Sequence, residues 1–199
     1  MPPLAYLSRG GILFSVKIRY SFILLSAVSI LFFEHRMIFH ALICILLHEA
    51  GHVICAKAFG CSINTLELCA QGLTIDLDRL PNPLQNIIII AFGPLVNLLC
   101  SLIYITLFDN IDPYFVGFNL SFGIFNLIPL KFLDGGRLLE QILSLSLSSH
   151  LCSRICFWIN TVLLIITWCL SIYCFLFEST HSSSMFICLF SLINLCLDV

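Results

Sequence analysis

ALICILLHEAGHVICAKAF, residues 41–59, reads as a plain membrane helix except for His48, Glu49 and His52, three polar residues within five positions. Histidines at i and i+4 lie on one face of a helix, one turn apart. Their imidazoles can share one tetrahedral zinc ion, and Glu49 can take a proton from water bound there, the arrangement of the HExxH motif. Zinc lowers the pKa of such a water to about 7, giving a nucleophile at neutral pH. A carboxylate at mid-membrane costs about 2.5–3.5 kcal/mol on insertion scales, so ionisable residues there usually have a function. The competing reading is that a neighbouring helix merely satisfies all three.

The rest of the chain has the same apolar character. Of its 199 residues 60% are hydrophobic and 10% charged, with a mean hydropathy of +1.07. A soluble domain is usually about a quarter charged, so the main solvent here is lipid. The net charge of −2 and the lack of a basic stripe argue against a nucleic-acid partner. Of eleven cysteines, nine lie in or beside apolar runs and Cys61 and Cys69 in the one polar-looking loop, without a CxxC pair. That pattern signals neither a zinc ribbon nor a redox motif, and it suits buried thiols used as small apolar filler.

A transmembrane helix needs about 20 mostly apolar residues. Six stretches come near that length, roughly 14–33, 37–58, 85–108, 113–130, 155–177 and 183–197. The expected fold is therefore an all-α polytopic membrane protein of about six transmembrane helices. The first stretch lacks the small-residue cleavage pattern of a signal peptide and is read as an uncleaved span. No repeat or linker divides the chain, so one membrane domain, 1–199, is expected.

Cytoplasmic loops carry the Lys/Arg excess. With the N-terminus inside, Arg9, Lys17, Arg19, Lys57, Arg79, Lys131, Arg137 and Arg154 all lie inside, and only Arg36 lies outside. Both termini are then cytoplasmic, in a bacterial cytoplasmic-type membrane. The second span runs inward and places HEAGH in its cytoplasmic half. Between the second and third spans, LELCAQGLTIDLD (66–78) alternates apolar and polar residues. Period two argues for strand, with Gly72 at a possible hairpin turn; an amphipathic loop on the inner leaflet fits as well.

Zinc with two histidines takes a third protein ligand and keeps one position open. The stretch NLIPLKFLDGGR, residues 126–137, supplies Asp134 at about the same depth, because the fourth span also runs inward. Pro129 ends or breaks that helix, and Gly135 and Gly136 are expected to let the backbone bend beside Asp134. Asp134 as an ordinary loop residue is the alternative. Asn126 is a candidate catalytic donor to the oxyanion of an attacked carbonyl, or else a partner for backbone groups freed near Pro129. In AFGPLVN (91–97), Gly93 would permit close helix approach and Asn97 could bridge helices, both read as structural. Asp109 and Asp112 fall at the far end, and His35 and His40 are left out of the metal site.

HEAGH, AFGPLVN and NLIPLKFLDGGRLL, in this order over residues 37–140, resemble the site-2 protease family of intramembrane zinc metalloproteases (M50 type). Compact size and six spans look most like the stage IV sporulation protein FB branch. The resemblance implies that His48, His52 and Asp134 hold zinc, that Glu49 is the general base and that Asn126 assists near the carbonyl. It further implies that 66–78 forms a membrane-associated β-hairpin guiding an extended substrate, which strand addition would favour. The implied activity is hydrolysis of a peptide bond in or near the membrane, in regulated intramembrane proteolysis of a sporulation sigma factor precursor. Regulatory membrane proteins are implied as further partners. The chain departs from sporulation relatives in showing no CBS domain before Val199, and no PDZ domain fits between spans. Other readings are a site-2 protease acting on an anti-sigma factor or signal-peptide remnant, and a non-catalytic metal-binding membrane protein or transporter. No inverted duplication supports the transporter.

Overall fold

The computed structural model describes residues 6–7, 14–18, 20, 34–69, 72–78 and 81–177. The chain is mostly helical, with α1 (His35–Ala58), α2 (Pro83–Leu107), α3 (Pro113–Asn126), α4 (Asp134–Ser144) and α5 (Ser149–Phe177). Two compact units divide after Leu127. Residues 1–127 contain α1 to α3 and the described strands; residues 128–199 contain α4 and α5.

Among the described residues, three helices are long and apolar enough to cross a membrane: His35–Ala58, Pro83–Leu107 and Ser149–Leu170. At 1.5 Å per residue, the first two exceed the roughly 30 Å hydrocarbon core. They coincide with the second and third expected spans, and the last overlaps the fifth. Helix α3 has 14 residues, about 21 Å, and is shorter than the expected 113–130 because Leu127 already caps it. The sixth expected span, 183–197, lies outside the described residues.

The first expected span needs correction at its start. Phe14–Ile18 is a strand, β2, because Phe14, Val16 and Ile18 alternate with Ser15 and Lys17 in a period-two pattern. The remainder of 14–33, apart from Tyr20, lies outside the described residues. Strand β2 pairs antiparallel with the short β1 (Tyr6–Leu7) and parallel with β3 (Ile63–Cys69). Strand β3 pairs antiparallel with β4 (Gly72–Leu77), Leu66 opposite Ile75. Residues 70–71 lie outside the described residues. The base of the pair is tied by Ser62 N–H to Asp78 Oδ1 at 2.8 Å and Asp78 N–H to Ser62 O at 2.9 Å.

Helices α2 and α3 of the first unit start on side-chain caps. Asn82 and Gln85 form a reciprocal capping box ahead of Pro83 at the first turn of α2, which satisfies otherwise orphaned N–H groups. Asp112 caps α3 by accepting from Tyr114 N–H at 3.0 Å. It also binds Arg36 at 3.0 Å and lies 3.3 Å from His40 Nε2, while Arg36 stacks over Tyr114. The starts of α1 and α3 therefore lie at one level, away from HEAGH, as the sequence expectation for Asp112 requires.

The hydrogen bond from Arg36, helped by the Tyr114 N–H, outweighs desolvation and holds the Asp112 carboxyl below the usual carboxylate range. The native state then binds fewer protons than the unfolded chain in mild acid. The stabilisation is present above the ordinary carboxylate pKa and is lost as pH falls through the lowered value. Wild-type protein is expected to lose more unfolding resistance between pH 6 and pH 3 than Asp112→Asn does, by a modest margin for an exposed pair. Equal losses in detergent-solubilised melts would contradict the role of this clamp.

The interior of the first unit inverts the soluble pattern. His48, Asn97 and Asn119 are buried, the two asparagines completely, whereas Leu46, Ile54 and Leu102 face outward. On α1 the buried residues are Cys44, His48, Gly51, His52, Cys55 and Ala56, a stripe of small and polar side chains at helical spacing. Apolar outside and polar inside is the arrangement a lipid solvent favours, since hydrocarbon gives helices no hydrophobic reason to associate. Cys55, Ala56, Cys61 and Ile89 pack together, and Cys44, Cys55, Cys61 and Cys152 are buried free thiols, in keeping with cysteine as filler.

Candidate metal centre

His48 and His52 project from the buried stripe of α1 towards α2, where two small residues make room for them. A Cβ on Gly51 would lie 2.9 Å from the Phe92 carbonyl oxygen and 3.1 Å from Gly93 Cα. A Cβ on Gly93 would overlap the His52 imidazole. The close helix approach expected of Gly93 is thus real, and what approaches is a ring of the HEAGH motif. The rings of His48 and His52 meet edge to face with centroids 4.8 Å apart, and Phe122 of α3 packs against His48 at 5.0 Å.

Both histidines are held by their Nδ1 atoms. His52 Nδ1 lies 2.8 Å from the Ile89 carbonyl oxygen. A carbonyl only accepts, so Nδ1 carries the hydrogen and Nε2 keeps a lone pair. Ile89 lies in the turn loosened by Pro94, which lacks the N–H that would bond Ile90 and crowds that carbonyl. His48 Nδ1 lies 2.9 Å from Asn97 Oδ1. The two Nε2 atoms face each other at 3.2 Å. Two ligands of a tetrahedral zinc at about 2.0–2.1 Å stand about 3.3 Å apart, so the pair fits the metal that the motif suggests.

Asp134 is the first residue of α4, and it is buried. The structure corrects the expectation of a freely bending backbone here: Asp134, Gly135 and Gly136 form the first turn of a helix. Gly136 is required for close approach, because a Cβ there would run into the Leu130 carbonyl. The preceding turn is fixed by Leu133 N–H to Leu130 O at 2.9 Å and by Lys131 N–H to Asn160 Oδ1 at 3.0 Å. Leu130, Leu133 and Leu164 form the small core beneath it. A carboxylate in a first helical turn is favoured by the exposed N–H groups and the macrodipole, and Arg137 lies 4.0 Å away. Two imidazoles on α1 and a buried carboxylate at the start of α4 are a donor set compatible with zinc.

The remaining candidates have plainer settings. Glu49 is half-buried on α1. Asn126 is buried at the end of α3, and its amide donates to the Phe122 carbonyl one turn back at 3.0 Å. His40 lies at the far end with Asp112, in agreement with its omission from the site. Sequence reasoning undervalued Asn97, which touches a proposed ligand, and missed Asn119 altogether. The available signal was the same for both, an amide in the middle of an apolar run.

The comparisons with known proteins converge. Residues 108–170 match the model of peptidase family M50. A zinc metalloprotease of Methanocaldococcus jannaschii is 36% identical over 145 residues, which is 65% of this chain and 42% of that protein. The chain thus spans less than half the length of this curated relative. The solved structure of a site-2 protease from the same organism superimposes with a TM-score of 0.61 at 26% identity, covering 94% of this chain and 90% of that one. Together they support the M50, or site-2 protease, family.

Proposed function

We propose that this protein is an intramembrane zinc metalloprotease that hydrolyses a peptide bond, in or near the membrane, of a membrane-associated protein. The observation that carries this reading is the pair of buried Nε2 atoms 3.2 Å apart, with His52 fixed through the Ile89 carbonyl. Two ring nitrogens so placed have the spacing of two ligands of one tetrahedral zinc ion. A structural zinc site would be closed by four protein ligands, whereas a catalytic one keeps a position open. Here the proposed set is His48, His52 and Asp134.

Bound zinc supplies the polarisation that makes a water nucleophilic near neutral pH. Glu49, next to His48 on α1, takes the proton from that water and returns it to the leaving amine. Asn126 donates to the developing oxyanion through the second N–H of its amide, the first being engaged by Phe122. The substrate must be extended for its carbonyl to reach the site. We assign that task to a membrane-associated hairpin at 66–78, whose edge strand can pair with an extended segment.

The proposal extends to six membrane spans in one domain with core motifs over 37–140, both termini cytoplasmic and the site on the cytoplasmic side. The six proposed spans favour the stage IV sporulation protein FB branch and a sporulation sigma factor precursor as substrate, with regulatory membrane proteins as further partners. The test is co-reconstitution in liposomes with three substrates: a membrane-associated sigma factor precursor, a membrane-spanning anti-sigma factor and a signal-peptide remnant. Chelator-sensitive cleavage of the first is expected. Cleavage of only another would replace the substrate and keep the chemistry. Failure to cut any of them with zinc bound would contradict the protease reading.

A further inference from the structure

The hydrogen bonds around His48 form a chain whose direction is fixed at every link. Asn119 Nδ2 donates to the Phe115 carbonyl at 2.9 Å, which identifies its other amide atom as the oxygen. That oxygen accepts from Asn97 Nδ2 at 2.8 Å. Asn97 Nδ2 also donates to the Cys44 carbonyl at 3.0 Å, so its nitrogen is identified twice and its oxygen faces His48. Asn97 Oδ1 therefore accepts from His48 Nδ1 at 2.9 Å. The Nδ1–H tautomer follows, with the Nε2 lone pair turned towards His52.

We infer that Asn97 and Asn119 are positioning residues that fix the tautomer and orientation of His48 for metal binding, with the Phe115 carbonyl as the anchor of the relay. This inference rests on the zinc site proposed above. Both side chains are fully buried, and together they tie α2 to α1 and α3 to α2. Hydrogen bonding in such an apolar interior leaves no water to rescue a wrong amide orientation, so the relay is held in one sense. Its effect falls on His48 alone, since His52 is held separately by the Ile89 carbonyl. The arrangement aims His48 Nε2 at His52 Nε2, 3.2 Å away. The partner groups of metal-binding histidines commonly change affinity by 10- to 100-fold when removed.

The experiment is a zinc titration by chelator competition on detergent-purified full-length protein. It compares wild type with Asn97→Leu, Asn119→Ala and Ser101→Ala. Ser101 also links α2 and α3, through the Asn97 and Val116 carbonyls, yet lies outside the relay. Asn97→Leu is expected to weaken zinc binding about 10- to 100-fold, Asn119→Ala less, and Ser101→Ala not at all. Should Asn97→Leu fail to fold, nitrogen-15 NMR of labelled histidine in the wild-type protein replaces it, and His48 is expected to carry its hydrogen on Nδ1. Wild-type affinity in folded Asn97→Leu, equal losses in Ser101→Ala, or a bare Nδ1 on His48 would overturn the relay while leaving the zinc site standing. Absence of zinc binding in wild type would overturn both.

Discussion

Glu49→Gln is expected to lower peptide cleavage by about 10²- to 10⁴-fold, the usual contribution of a general base, while the zinc content of the protein stays at the wild-type level. The substitution keeps size and hydrogen bonding but removes the proton acceptor. His48 and His52 face α2, and Glu49 is half-buried on the same helix. Loss of cleavage together with loss of zinc would make Glu49 part of the metal-holding structure. Retained cleavage would remove it from the mechanism.

The second large effect is expected at a residue without a side chain. A Cβ on Gly93 would overlap the His52 ring. The ring cannot retreat without giving up its bond to the Ile89 carbonyl, and overpacking a tight interface typically costs about 1–3 kcal/mol. Gly93→Ala should therefore reduce zinc affinity more than tenfold with the HEAGH motif intact. Gly117, on α3, has open space around its Cβ direction, and Gly117→Ala serves as the control that keeps zinc. Both proteins are read by zinc content and by helical content from circular dichroism. A Gly93→Ala protein with full zinc would show that α1 and α2 stand further apart than described.

Much of this was legible in the sequence because membrane helices are written in composition. The runs carrying α1 and α2 are long, apolar and bounded by polar or helix-starting residues, and their observed limits differ from expectation by two residues at most at each end. HEAGH drew notice as a candidate because ionisable groups are costly in lipid, and Asp134 because the charge rule put it at about the same depth. Three features were hidden. The strand at Phe14–Ile18 has its own period-two pattern, but at the head of an apolar run it reads as the start of a span, and its parallel partner lies about fifty positions later. The helix at Asp134–Ser144 was concealed by Gly135 and Gly136, which sequence reasoning takes as freedom although Gly136 is there for contact with Leu130. The role of Asn97 depends on which residues of α1 and α3 face it, and only packing determines that.

Both large effects presuppose a metal, so zinc content per chain in detergent-purified wild-type protein, beside His48→Ala and Asp134→Ala, is the most direct measurement. About one zinc per chain, reduced in both variants, is the expected result. Well-folded wild-type protein with little or no zinc, or variants that retain it fully, would contradict the zinc protease account.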